Sequence, residues 1–192
     1  TDSSTGLCQP CEAGFYTEWS NMPFCIPCPT GSYAPQAGMP ACLDCPQGHF
    51  ANKSASIACL PCHPGSFQDR ERSASCVTCS LTAYASSSAA SQCDECPLHA
   101  VVPSRGATDV HECECEEGWY SLGPIDKYNF TQCYPCAPGA ECHSATVIAL
   151  EGYWTPPWNS THPLHCEEEE VCLGSAGCKT GYAGVLCETC DK

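Results

Sequence analysis

Large aliphatic side chains are scarce in this sequence. Leu, Ile, Val and Phe together supply 26 of 192 residues, about 14%, where a charged chain below about 20% falls in the range of disorder. The net charge is −15. A chain so composed cannot offset its conformational entropy by apolar packing alone. Basic residues are also few, seven Lys and Arg against 22 Asp and Glu. This balance excludes nucleic acid and an anionic membrane surface as electrostatic partners. There is no apolar run of membrane-spanning length, so no membrane insertion is expected in this segment, and no signal-peptide pattern. No Ser/His/Asp set, paired carboxylates or phosphate-binding loop can be assembled, and the expectation is a protein that is not an enzyme.

What the chain has is cysteine, 22 of 192 residues, above the ~8–10% that marks a disulfide scaffold. CxxC pairs begin at Cys8, Cys25, Cys42, Cys59, Cys76 and Cys93, every 17 residues. Three residues past each second cysteine stand Gly14, Gly31, Gly48 and Gly65. Five past it stand Tyr16, Tyr33, Phe50, Phe67 and Tyr84. A fixed period marks a linear array whose units contact mainly their neighbours. Two CxxC pairs also make a zinc site. Zinc would alternate spacers within sites and between sites, whereas here every spacer has one length. A disulfide ladder makes all units equivalent, the second cysteine of each pair closing onto the first of the next. The expected bonds are Cys11–Cys25, Cys28–Cys42, Cys45–Cys59, Cys62–Cys76 and Cys79–Cys93, followed by Cys96–Cys113 with a longer loop. Each 15-residue loop closed contributes about 3 kcal/mol in the chain-entropy account. The glycines supply positive φ in tight turns, and the aromatics cover the disulfides. Six equivalent pairs do not suit a redox enzyme, which needs one activated thiolate.

Three sequons, at Asn52, Asn129 and Asn159, agree with an extracellular or cell-surface location and with N-linked glycans as partners. The units resemble the cysteine-rich repeats of ephrin-type receptors and, more distantly, the first module of tumour-necrosis-factor-receptor repeats. The CxxC pairs, the four glycines and the five aromatics carry the likeness over residues 8–112. It implies a small disulfide-rich fold of short β-hairpin and loop units, an elongated linear array acting as spacer and contact surface. Thr82 departs from the glycine pattern, and His99 and Val101 replace the glycine and the aromatic of the sixth unit.

After Cys113 the period stops. Cys115, Gly118 and Tyr120 begin one more unit with a longer loop, closing at Cys133. The gap from Cys142 to Cys166 holds "YWTPPW", in which Tyr153, Trp154 and Trp158 are the best partner-surface candidates, Tyr and Trp being favoured anchors; the alternative is the core of the C-terminal module. "DVHEC", Asp109 to Cys113, resembles the entry of calcium-binding growth-factor-like modules. Since the visible oxygens do not meet the ligand number, no cofactor is expected and calcium stays the minority reading. Glu167 to Glu170 read as a solvated loop. His162, His165 and Cys166 have zinc-like spacing, but a disulfide-bonded Cys166 cannot ligate. The close, "CKTGYAGVLCETC", resembles the end of an epidermal-growth-factor-like (EGF-like) or laminin-type module through Cys178, Gly181, Tyr182, Gly184 and Cys187. That resemblance implies a Cys178–Cys187 bond and a small two-stranded hairpin.

Cys8 and Cys190 are left over. The chain is then a piece of a longer array, or the two cysteines pair internally, or they pair between chains as in an open filament. The expected organisation is a lead-in over 1–7, the array over 8–112, a longer-loop unit over 113–142, and an aromatic segment with its closing module over 143–192. The expected role is a glycosylated structural rod in a surface coat, matrix or filament, bound to other protein chains including copies of itself. The alternative is a ligand-binding segment of a receptor or adhesion ectodomain.

Overall fold

The computed structural model describes residues 9–18, 24–123, 132–143 and 146–190. The lead-in 1–7, Cys8 and the sequon at Asn129 lie outside them. Ten two-stranded antiparallel hairpins and ten disulfides build the described chain, with single 3-10 turns and no long helix. Two compact units divide it. The first holds the described residues up to Glu95 with Ser104–Asp109, and the second holds Cys96–Pro103 with the described residues from Val110 onward.

The first unit is a strict repeat. Its disulfides are Cys11–Cys25, Cys28–Cys42, Cys45–Cys59, Cys62–Cys76 and Cys79–Cys93, each with a sequence separation of 14. Inside each loop the aromatic strand pairs with the strand between the next two cysteines. Tyr33 thus faces Leu43, Phe50 faces Leu60 and Phe67 faces Val77. Strands of two residues cannot stand alone in water, and their second edges are covered by the following loop. Ala34 N–H donates to the Ser56 carbonyl at 3.0 Å, Ala51 to Ser73 at 3.1 Å and Gln68 to Ala90 at 3.0 Å. Such cover closes the outer edge of each aromatic strand, an edge that would otherwise promote aggregation. Two more series repeat with the same period. Gly31, Gly48 and Gly65 N–H donate to the carbonyls of Ala51, Gln68 and Ala85, each at 2.8 Å; Ala55, Arg72 and Ala89 N–H donate to Cys28, Cys45 and Cys62, each at 2.8 Å.

Those last donors sit at a left-handed corner that the sequence does not advertise. Gly38, Ala55, Arg72, Ala89 and Gly106 all have positive φ, from +56° to +85°. The corner carbonyl of one loop rests on the glycine two loops earlier. A Cβ on Gly14 would overlap the Ala55 carbonyl oxygen; Arg72 stands in the same relation to Gly31, Ala89 to Gly48 and Gly106 to Gly65. These glycines therefore serve two needs, a left-handed turn and a backbone approach that excludes any side chain. Thr82, which stands in the glycine's place in the fifth loop, adopts no positive φ. The core is correspondingly small. Cys28, Cys45, Cys62 and Cys79 are fully buried, with Ala34, Ala51 and Ala85 beside them.

The second unit follows no fixed period. Its disulfides are Cys96–Cys113, Cys115–Cys133, Cys136–Cys142, Cys166–Cys172 and Cys178–Cys187, with separations of 17, 18, 6, 6 and 9. Its hairpins pair Ala100–Val101 with Glu114–Cys115, Trp119–Ser121 with Cys133–Pro135 and Ala140–His143 with Thr146–Ala149. Two more pair Tyr153–Trp154 with Leu164–His165 and Tyr182–Ala183 with Thr189–Cys190. His99 keeps the left-handed turn of its lost glycine, with φ +61°. Its ring stacks on Trp119 at 3.5 Å and 8°, with Glu116 Oε2 3.5 Å from Nδ1. A cluster of Cys166, Val171, Cys172 and Cys187 forms the apolar centre, with Trp154 and Leu186 packed against it.

Candidate functional site

The gap without cysteines is organised by its own aromatics and prolines. Tyr153 and Trp154 pair with His165 and Leu164, leaving residues 155–163 as a loop. Tyr153 lies against Gly139, where a Cβ would overlap its ring, and meets His165 edge-on at 5.1 Å. Trp154 packs on the disulfide-rich centre. Pro156 is fully buried, and Asn159 N–H closes a turn on its carbonyl at 3.1 Å. Trp158, at the crest of that turn, is 73% exposed and touches Trp154 edge-on at 5.9 Å. Of the three aromatic candidates, Tyr153 and Trp154 thus serve the fold and Trp158 faces solvent.

Beside Trp158 the sequon at Asn159 is exposed. Asn159 Oδ1 accepts from Thr161 Oγ1 at 2.9 Å and from Thr161 N–H at 3.3 Å. The Thr161 hydroxyl hydrogen being so used, His162 Nδ1, 3.0 Å away, meets it as the donor. Asn52 is exposed in the loop closed by Cys45 and Cys59.

In the second unit, Glu167, Glu168 and Glu188 surround Tyr182 and Leu186 in a cavity of about 160 Å³. Glu169 Oε1 stands 3.3 Å from His165 Nε2. This gathering of carboxylates gives the face a negative potential. Among the described residues no group of three or more His, Cys, Asp or Glu could hold a metal ion. Cys166 is bonded to Cys172, so the zinc-like spacing with His162 and His165 has no thiolate. Asp109 neighbours Tyr84: burial first, then the carboxylates of Asp94 and Asp109, push the Tyr84 hydroxyl above its usual 10.0. Cys190 is exposed and unbonded.

Sequence reasoning missed three of these features: the buried Pro156, the His99–Trp119 stack and the acidic rim around Tyr182. Only "PP" within "YWTPPW" signals the first, since proline fixes φ and favours a rigid turn. The stack joins residues 20 positions apart, and the rim brings Glu167 and Glu168 to Tyr182 and Glu188 from a separate stretch, with no shared motif in either case.

The family model described as tyrosine-protein kinase ephrin type A/B receptor-like matches residues 19–58 and, overlapping them, 48–92. Residues 19–92 are therefore similar to ephrin-receptor-like cysteine-rich repeats. The likeness begins after Gly14 and Tyr16, takes in Gly31, Gly48 and Gly65 with Tyr33, Phe50, Phe67 and Tyr84, and stops before the second unit. No curated protein sequence matches this chain closely.

Proposed function

We propose that this chain is a non-enzymatic extracellular segment of the receptor-ectodomain kind. Its ephrin-receptor-like array holds distance and orientation, and the exposed loop around Trp158 makes contact. The repeated disulfide ladder is the observation that carries this reading. Buried sulfurs in loop after loop persist in an oxidising compartment and not against cytosolic thiols. The match to the ephrin-receptor-like model supports the same location. In the second unit, Tyr182–Ala183 and Thr189–Cys190 beside Cys178–Cys187 support an EGF-like closure.

Expression through a eukaryotic secretory pathway tests it. The expected result is secreted protein whose non-reducing peptide map contains the ten bonds. Stable, folded accumulation as a reduced cytosolic protein would overturn it. A second reading, a structural filament joined end to end, is favoured by the exposed thiol of Cys190. It requires disulfide-linked multimers on a non-reducing gel that vanish in Cys190→Ser.

A further inference from the structure

The exposed indole of Trp158 stands next to a sequon, in a loop already fixed on three sides. Pro156 is buried, Asn159 N–H is bonded to the Pro156 carbonyl, and Thr161 holds Asn159 Oδ1 through both its N–H and its hydroxyl. Asn159 Oδ1 is thereby occupied, and Nδ2 is the amide atom left for chemistry. Trp158 is pinned along one side by Trp154 and is still 73% exposed. An indole face carries negative charge density that attracts the positively polarised C–H bonds of a pyranose ring. A rigid platform gains affinity because little freedom is lost on contact.

We propose that Asn159 carries an N-linked glycan whose first N-acetylglucosamine stacks on Trp158, so that the sugar covers the most exposed tryptophan among the described residues. In forming it, Nδ2 bonds to sugar C1 as the C1–O bond to a polyisoprenyl diphosphate carrier breaks; Nδ2 loses a proton and the diphosphate leaves with the bonding pair. The occupant follows from sequence adjacency: Asn159 is the next residue after Trp158, within reach of one sugar ring. The stack holds the glycan in one direction, so that the contact this loop makes is through sugar rather than through bare indole. This inference rests on the extracellular reading above.

The test is the full chain secreted from a glycosylating eukaryotic cell, with Asn52 as internal control. Intact-glycopeptide mass spectrometry is expected to show Asn159 occupied. Proton NMR is expected to show its N-acetyl methyl shifted upfield by the indole ring current, with cross-relaxation to Trp158. Trp158→Ala, a surface change, should leave occupancy intact and abolish both signals. It should also speed endoglycosidase release about threefold to tenfold, the range one stacking contact supplies. Asn159→Gln should shift the Trp158 indole resonances. An occupied Asn159 whose N-acetyl signals are the same with and without Trp158 overturns the stack. So does an empty Asn159 beside an occupied Asn52. Retention of the chain in the cytosol with both sites bare overturns the extracellular reading, and this inference with it.

Discussion

The two units carry the same hardware, five disulfides and five hairpins each among the described residues, and hold themselves together differently. In the first, every loop has one length and every backbone bond to the next loop recurs 17 residues on. Alanines and cystines fill the interior, and no large aliphatic side chain is fully buried there. In the second, loop lengths vary and side chains take over, with Trp154, Val171 and Leu186 around two disulfides. Exact repetition lets backbone bonds and cross-links replace an apolar core. Where repetition stops, the chain spends its scarce aromatics instead.

Glycine substitutions separate the two regimes most sharply. Gly48→Ala places a Cβ on the Ala89 carbonyl at φ +76°, and should cost about 4 kcal/mol or more, an exceptional value reserved for such clashes. Gly118→Ala, at φ +83° with nothing within 4 Å, should cost only the left-handed penalty of about 1–2 kcal/mol. Urea melts of the two variants measure the difference, and equal costs would refute the close-approach account. Removing a disulfide comes next. Cys45→Ser with Cys59→Ser opens a loop of separation 14, and Cys136→Ser with Cys142→Ser one of separation 6. Chain entropy gives about 3 against about 2 kcal/mol, readable in the same melts.

Within the second unit, Trp154→Ala should destabilise by about 2–3 kcal/mol, since a large core side chain is deleted. Trp158→Ala without its glycan should stay within about 0.5 kcal/mol, as exposed positions do. Equal effects would mean that Trp158 is structural. The first unit should respond to alkali through Tyr84. Its folded-state pKa is raised, so its contribution is fully present below the unfolded value of 10.0 and is lost as pH rises through the folded value. Tyr84→Phe should flatten the fall in urea midpoint above pH 10. The smallest effect is a gain. Arg72 is left-handed at φ +58°, and its ion pair with Asp44, at 3.6 Å, is exposed on both sides. Arg72→Gly relieves the backbone and forfeits a surface pair worth little. After the extra entropy that glycine gives the unfolded chain, about 0.5–1 kcal/mol of stabilisation should remain.

Much of the array was legible because its signals are local. Cys28 and Cys42, Gly31 and Tyr33 all lie within one loop, where spacing alone constrains geometry. The left-handed corner was not, since Gly, Ala, Arg, Ala and Gly occupy it and no single residue type marks it. Likewise the letters of "YWTPPW" mark an aromatic segment without saying which ring turns inward. Trp154 is held inside by Cys166, Cys172 and Cys187, and Trp158 is lifted outward by the turn on Pro156.

By itself, then, the sequence determined the period, the disulfide-rich class and the turns, all of which depend on covalent reach over some 15 residues. Tertiary structure alone decided why Gly14, Gly31, Gly48 and Gly65 admit nothing larger and which tryptophan meets solvent. Both are set by groups that approach through space, a carbonyl 41 residues away in one case and a cystine cluster in the other. A backbone carbonyl has no residue identity to leave in the sequence.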